Sequence, residues 1–160
     1  MDKDKILIVG GAGYIGGYMT DILSKNNYSV TVYDSLLYES RFLKDVNFIN
    51  GDIRDKNKLL SILNDYDIVI WLAALVGDGA CAINPSLTKE INYNSVKWLV
   101  DNYKKKIIFT STCSVYGINN NLIDEATNPN PLSVYAETKL LAEQYLICLL
   151  YTSPSPRDRT

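Results

Sequence analysis

Short apolar runs alternate along the chain with longer segments in which apolar residues recur at helical spacing. The short runs have the length and the valine and isoleucine content of buried β-strands, and the longer segments predict α-helices. The predicted strands are residues 5–9, 29–33, 46–49, 67–72 and 106–111, and the predicted helices are residues 14–25, 56–64, 85–103 and 133–147. Alternating strands and helices are typical of parallel sheets, so the pattern predicts an α/β fold with a Rossmann-type doubly wound parallel sheet.

Length and charge narrow the class of protein. The 160 residues suffice for one domain with a substantial core. The formal net charge of −2 argues against nucleic acid or a membrane surface as a partner, because both require a basic face. No apolar run approaches the roughly 18 residues of a membrane span, and the charged first five residues do not resemble a secretory signal. We therefore expect a cytoplasmic protein.

The cysteine and histidine content limits the available chemistry. Cys81, Cys113 and Cys148 form neither a Cys-x-x-Cys pair nor an even set, so we expect no disulfide and no structural zinc. The chain has no histidine, which excludes histidine-based triads and zinc sites. Any acid–base chemistry must come from Tyr, Lys, Asp, Glu or Cys.

The segment 10–16, Gly-Gly-Ala-Gly-Tyr-Ile-Gly, lies between the first predicted strand and the first predicted helix. Glycines at this spacing permit a tight turn and the close approach of a pyrophosphate, and the helix N-terminus attracts its charge. Asp34 follows the second predicted strand, near the position of a carboxylate that binds ribose hydroxyls and repels a 2′-phosphate. The loop thus predicts NAD rather than NADP. The alternative is an ordinary turn with a capping aspartate.

A tyrosine and a lysine in the last predicted helix form a candidate acid–base pair. Tyr135 and Lys139 are one turn apart and so share a face of the helix. An ammonium group near a phenol favours the phenolate, which can accept a proton. Taken alone, the spacing also fits a surface pair with the tyrosine packed inward. The segment 111–117 follows the last predicted strand, and ligands bind at the carboxyl ends of strands in such sheets.

The ordered set of motifs resembles the extended short-chain dehydrogenase/reductase superfamily, in its NAD-dependent epimerase/dehydratase family of the UDP-glucose 4-epimerase type. The resemblance covers residues 5 to about 147. In chain order it rests on segment 10–16, Asp34, segments 51–55 and 72–74, Asn92, Ser111, Thr112, Tyr135 and Lys139. It implies a partial Rossmann domain over residues 1–147, to which family members add further strands and a substrate domain. We expect the chain alone to be inactive.

The resemblance also implies NAD as the cofactor. The implied cofactor-binding set is Gly10, Gly13, Tyr14, Ile15, Gly16, Asp34, Asp52, Ile53, Leu72, Ala73, Ala74, Asn92, Tyr135 and Lys139. Within it, Tyr14 and Ile15 would lie on the pyrophosphate, and Asp52 and Ile53 would contact the adenine. Asn92 would be a buried polar residue that positions the loop after the fourth strand.

A nucleotide sugar is the substrate that the resemblance implies, with a hydride removed and returned through NAD. Tyr135 would be the general base, and Lys139 would hold the nicotinamide ribose and support the phenolate. Thr112 would hydrogen-bond the reacting sugar hydroxyl. Family members commonly form homodimers through helices that correspond to residues 85–103 and 133–147. No metal is implied.

Residues beside Thr112 discriminate among related reactions. Cys113 and Ser114 stand where the family's 4,6-dehydratases carry Asp-Glu, and decarboxylases usually carry a Glu at the second position. Small uncharged residues there favour a 4-epimerase. A reductase or dehydratase of a related sugar and a non-catalytic NAD-binding protein are the alternatives. Cys113 could act as an acid, but we expect it, like Cys81, to be a packing residue. Ser95 replaces a customary glycine.

Residues 148–160 break with the preceding helical pattern. The sequence Ser-Pro-Ser-Pro at 153–156 is incompatible with a continuing helix. One coding of residues 148–158 contains the transposase end sequence of a sequencing adapter. We therefore interpret residues 148–160 as an adapter-derived tail, and a natural linker or frayed terminus is the alternative.

Overall fold

The computed structural model describes residues 3–120 and 122–152, with the side chains of that range up to residue 148. The chain forms two compact units. The first comprises Met1–Ala74 and Asp101–Thr110, and the second comprises Leu75–Val100 and Ser111–Thr160. The greater part of the predicted tail, residues 153–160, lies outside the described residues.

A five-stranded parallel sheet forms the centre of the first unit, in the order β3–β2–β1–β4–β5. From β1 the chain moves outward in one direction through β2 and β3, and then in the other through β4 and β5. This reversal at β1 confirms the predicted Rossmann-type doubly wound sheet. The elements of the unit are β1 (Lys5–Val9), α1 (Tyr14–Lys25), β2 (Ser29–Asp34), β3 (Asn47–Asn50), α2 (Lys56–Leu63), β4 (Ile68–Trp71) and β5 (Lys106–Phe109).

The sheet owes its stability to apolar side chains on both of its faces. On one face, aligned residues of β1, β2 and β4 form a buried cluster of Ile6, Ile8, Val30, Val32 and Ile70. Met19 and Leu23 of α1 pack against this cluster. Leu7, Val9 and Val69 alternate with it along β1 and β4 and are also fully buried. Burial of each such side chain contributes about 1.5–3 kcal/mol, which explains the nearly continuous apolar runs of these strands.

A close contact between Tyr33 and Gly51 shapes the turn after β3. The fully buried Tyr33 donates its hydroxyl hydrogen to the carbonyl of Asp52 at 2.8 Å. A Cβ atom on Gly51 would lie 2.3 Å from Cζ of the Tyr33 ring, so only glycine fits there. Burial, with smaller contributions from the charges of Asp55 and Asp52, raises the pKa of Tyr33 to about 12. The phenol therefore stays protonated and remains a hydrogen-bond donor.

Helices and short turns make up the described part of the second unit. They are α3 (Asp78–Ile83), α4 (Pro85–Lys89), a π-helical turn (Glu90–Asn94), α5 (Ser95–Asn102, of which the last two residues belong to the first unit), a 3₁₀ turn (Cys113–Tyr116) and α6 (Val134–Thr152). The sequence pattern predicts neither α3 nor the 3₁₀ turn, because both are too short to show a helical period. No helix among the described residues combines the length and apolar character required to cross a membrane.

The helix predicted over residues 85–103 is interrupted by the π-helical turn. Both the backbone N–H and the hydroxyl of Ser95 donate to the carbonyl of Glu90, five residues earlier, and the hydroxyl bond is 2.9 Å long. This gives Ser95, which is fully buried, a structural role in the helix. Single π-helical turns widen a helix locally and are frequent at functional sites.

The last helix extends beyond its predicted end. It was expected to stop at residue 147, but α6 continues to Thr152. Residues 148–152 contain neither proline nor glycine, so nothing in their sequence forbids helical geometry, and the first helix-breaking residue is Pro154. The change in sequence character at residue 148 therefore does not coincide with the end of the helix.

Replacing Gly51 with alanine should destabilise the first unit, because the added methyl group overlaps the Tyr33 ring. We expect the free energy of unfolding to fall by about 1–3 kcal/mol. Gly17→Ala is the matched control, since its Cβ would meet only the flexible end of Lys44, at 3.7 Å, and alanine favours a helix interior. Urea denaturation measures both changes. Equal stability of the two variants would contradict the close packing at Gly51.

Candidate active site

The ends of three strands meet at Gly10 in the first unit. The N–H of Gly10 donates to the carbonyl of Tyr33 at 2.8 Å, and the carbonyl of Val9 accepts from the N–H groups of Leu72 and Ala73 at 2.8 and 3.0 Å. Gly10 has a φ of 81°, and a Cβ atom on it would lie 2.4 Å from the nitrogen of Ala73. Glycine is thus required at this position by the protein's own backbone. Leu72 and Ala73, two residues of the predicted cofactor-binding set, are thereby fixed beside the loop.

Gly13 differs from Gly10, because nothing inside the protein requires glycine there. Its φ of −73° is ordinary, and the nearest atom to a Cβ placed on it would be the carbonyl oxygen of Gly10, at 3.8 Å. Gly13 is also the N-cap of α1, and no side chain caps that helix end. A glycine that leaves open space beside uncapped N–H groups fits a phosphate that approaches from outside. The loop therefore fits the pyrophosphate of a dinucleotide, as the sequence predicts.

Asp34 fixes the glycine loop to the end of β2. One carboxylate oxygen accepts the N–H of Ala12 at 3.0 Å, and the other accepts the N–H of Leu36 at 2.8 Å. Each oxygen retains a second lone pair with which to accept a ribose hydroxyl. Asp34 thus has the structural role of a capping aspartate, which the sequence analysis gave as the alternative. Its predicted contact with the adenosine ribose stays a prediction.

Asp52 and Ile53, the predicted adenine contacts, follow β3. Arg54 donates from its guanidinium to both carboxylate oxygens of Asp52, with Nε 3.0 Å from Oδ1, and its backbone N–H donates to Oδ1 at 2.8 Å. These hydrogen bonds, led by the side-chain bond from Arg54, lower the pKa of Asp52. The side chain of Ile53 is only 8% exposed. The Arg54 contact holds the carboxylate in its ionised form.

Asn92 lies in the π-helical turn of the second unit and is 1% exposed. Its Oδ1 accepts the N–H of Leu75 at 2.8 Å, and its Nδ2 donates to the carbonyl of Leu75 at 2.9 Å. The side chain thus satisfies both backbone hydrogen-bonding groups of Leu75, as a neighbouring strand would. The structure has the buried polar residue that the resemblance implies, and a direct role in cofactor binding stays a prediction.

Tyr135 and Lys139 occupy successive turns of α6 in the second unit. Lys139 is only 3% exposed, whereas Tyr135 is partly buried. Burial lowers the pKa of Lys139 from its ordinary value of 10.5 to about 8, and the carboxylate of Glu143 opposes this shift. Lysine is almost never fully buried without a specific reason. An ordinary surface pair, the alternative interpretation of the spacing, is incompatible with this burial.

Polar side chains fix the segment that contains Thr112 and the start of the helix that contains Tyr135 and Lys139. Thr112 accepts the N–H of Ser114 at 3.2 Å and donates to its hydroxyl at the same distance, which starts the 3₁₀ turn. Ser133 caps α6 by accepting the N–H of Ala136 at 3.2 Å, and its hydroxyl donates to Asp78 at 2.7 Å. The segments that carry Thr112 and Tyr135 are therefore held by local hydrogen bonds. Sequence analysis missed the contact with Asp78, since 55 residues separate the partners.

The two cysteines of this region differ. Cys81 is fully buried and its thiol lies 3.4 Å from the carbonyl oxygen of Leu75, and burial raises its pKa, as expected of a packing residue. The same expectation for Cys113 is wrong, because its side chain is exposed. The 3₁₀ turn begins at Cys113 and buries Val115 instead.

The predicted site residues divide between the two units. The first unit carries the glycine loop, Asp34, Asp52, Ile53 and residues 72–74, and the second carries Asn92, Thr112, Tyr135 and Lys139. The first set has the geometry of a dinucleotide-binding sheet, and the second contains a buried lysine one helical turn after a tyrosine. Together they define a Rossmann-type protein with candidate proton-transfer residues.

Comparison with known proteins identifies the family. The chain matches the profile of the NAD dependent epimerase/dehydratase family over residues 6–149, and it belongs to that family. The expected family and its dependence on NAD are thereby confirmed. The chain spans about half the length of the curated relatives that it matches.

Three relatives illustrate the range of activities in the family. The UDP-glucose 4-epimerase of Halalkalibacterium halodurans is 35% identical over an alignment of 172 positions, which includes 96% of this chain and 52% of the relative. The UDP-N-acetyl-alpha-D-glucosaminuronate decarboxylase of Bacillus cytotoxicus is 29% identical, with 91% and 47% covered. The crystal structure of UDP-glucose 4-epimerase from Brucella ovis in complex with NAD superimposes with a TM-score of 0.86 at 31% identity, with 92% and 48% covered.

The buried amine makes stability depend on pH. Between pH 8 and 10.5 the unfolded chain binds more protons at residue 139 than the folded chain, so this lysine makes the free energy of unfolding rise with pH. Relative to Lys139→Met, the wild type should gain on the order of 3 kcal/mol across this window. Denaturant unfolding at several pH values measures the difference. Lys25→Met, at an exposed position of α1, is the control for the loss of one lysine. Parallel curves for wild type and Lys139→Met would contradict the burial of the amine.

Proposed function

We propose that this protein is an NAD-dependent nucleotide-sugar epimerase of the 4-epimerase type. The observation that carries the proposal is the burial of Lys139 one helical turn after Tyr135, because a buried lysine on the same helix face as a tyrosine suits proton transfer and has no evident use in a pure binding protein. Membership of the NAD dependent epimerase/dehydratase family and the similarity to proteins named UDP-glucose 4-epimerase support it.

NAD is the proposed cofactor, and the residues of the first unit fit it. The open space beside Gly13 and the uncapped start of α1 accommodate the pyrophosphate, with Tyr14 and Ile15 next to it. Asp34 accepts hydrogen bonds from the adenosine ribose hydroxyls, and its negative charge repels a 2′-phosphate. When bound, NAD would supply the hydride acceptor, and then the hydride donor, for the sugar carbon that bears the reacting hydroxyl.

The chain's own residues supply the proton transfer and the positioning. Tyr135 acts as the general base that takes the proton of the sugar hydroxyl and later gives it back. The ammonium of Lys139 stabilises the phenolate and binds the nicotinamide ribose. Thr112 hydrogen-bonds the reacting hydroxyl. These roles rest on the family resemblance together with the burial of Lys139 and the local hydrogen bonds of Thr112.

A decarboxylase is the competing function, since one relative bears that name. Residues 113 and 114, directly after Thr112, carry no carboxylate that could assist elimination or decarboxylation. Their small uncharged side chains therefore favour an epimerase over both reactions. A nucleotide sugar is the proposed substrate, and a homodimer is proposed for the full-length protein on the family resemblance.

Tyr135→Phe tests the proposal in the full-length gene product. The phenylalanine keeps the ring but cannot carry the proton, so interconversion of UDP-glucose and UDP-galactose should slow by about 100-fold or more with folding unchanged. Tyr145→Phe, on the same helix, is the matched control. Conversion followed by chromatography, with NADH absorbance recorded, gives the rates. Unchanged turnover in Tyr135→Phe would refute the base, and a net change in NADH would indicate an oxidoreductase instead.

A further inference from the structure

Glu143 lies one turn beyond Lys139 on α6, and therefore two turns beyond Tyr135 on the same side of the helix. Its Oε2 accepts the hydroxyl hydrogen of Ser111 at 2.8 Å. Ser111 directly precedes Thr112 in the chain. One carboxylate thus connects the segment that carries Thr112 to the helix face that carries Tyr135 and Lys139.

The charge of Glu143 also acts on Lys139. The burial of Lys139 disfavours its ammonium form, and a nearby carboxylate offsets part of that cost. Among the charges around Lys139, Glu143 is the one whose attraction opposes the effect of burial on its pKa. Other titratable or charged groups lie on α6 or on the elements packed against it: Tyr135, Glu137, Tyr145 and Cys148 on α6, Asp78 and Cys81 on α3, Lys89 on α4, Glu90 and Tyr93 in the π-helical turn, and Cys113 and Tyr116 in the 3₁₀ turn.

We propose that Glu143 is a positioning residue of the proposed reaction, which holds the Thr112 segment through Ser111 and keeps Lys139 in its ammonium form. A hydrogen bond from a hydroxyl to an ionised carboxylate is stronger than one between neutral groups, so Ser111 also keeps the carboxylate in place. The role in the reaction rests on the proposed function, whereas the hydrogen bond to Ser111 and the effect of the Glu143 charge on Lys139 do not.

The charge is tested by NMR titration of the lysine ε-carbon signals in the chain, with Lys139 assigned by loss of its signal in Lys139→Met. Glu143→Gln keeps the hydrogen-bond acceptor but removes the charge, so the titration midpoint of Lys139 should fall by about 1 pH unit. Glu137→Gln makes the same charge change on an exposed position of the same helix and should leave the midpoint in place. Equal midpoints in the two variants would overturn the proposal.

The tether is tested by Ser111→Ala, which removes one exposed hydroxyl and leaves the charge intact. Release of the carboxylate should lower the Lys139 midpoint in the same direction as Glu143→Gln, but by less. An unchanged midpoint would overturn the role of Ser111. Neither titration needs NAD or turnover, so loss of the proposed function would appear in the epimerase assay alone and would leave these shifts unaffected.

Discussion

The close approach of three strand ends at Gly10 is the constraint on which the cofactor site depends. Backbone hydrogen bonds draw β2 and β4 against the end of β1, and only a residue without a side chain fits between them. The carboxylate of Asp34 then holds the glycine loop in place by accepting the N–H of Ala12. A sheet whose strand order reverses at β1 places such a loop where open α/β sheets bind their ligands. The close approach of the strand ends therefore links the strand order around β1 to the position of the cofactor loop.

The buried amine of Lys139 is a second constraint, and it works against stability. Burial of an ammonium group costs free energy at neutral pH, and a protein selected for stability alone would place an apolar residue there. The charge of Glu143 offsets part of the cost. Side chains whose pKa values are shifted far from their ordinary values cluster at functional sites. The burial of Lys139 is therefore the kind of feature that the proposed proton transfer requires.

The sequence pattern predicts the sheet and the glycine loop well, because apolar runs and glycine spacing are local signals. The sequence pattern does not predict the π-helical turn, because the turn depends on two hydrogen bonds of Ser95 that produce no periodic spacing of apolar residues. The contact between Ser111 and Glu143 joins residues 32 positions apart, which no local pattern reveals. The exposure of Cys113 follows from a short 3₁₀ turn, whereas the average burial of cysteine suggested the opposite.

Calorimetric binding of NAD and NADP to the full-length gene product tests the central claim, that the loop at Gly13 receives a dinucleotide without a 2′-phosphate. The account predicts that NAD binds more tightly than NADP. It also predicts that Gly13→Ala, whose methyl group occupies the open space beside α1, weakens NAD binding by about tenfold or more without loss of stability. Equal affinity of wild type and Gly13→Ala for NAD, or tighter binding of NADP, would contradict it.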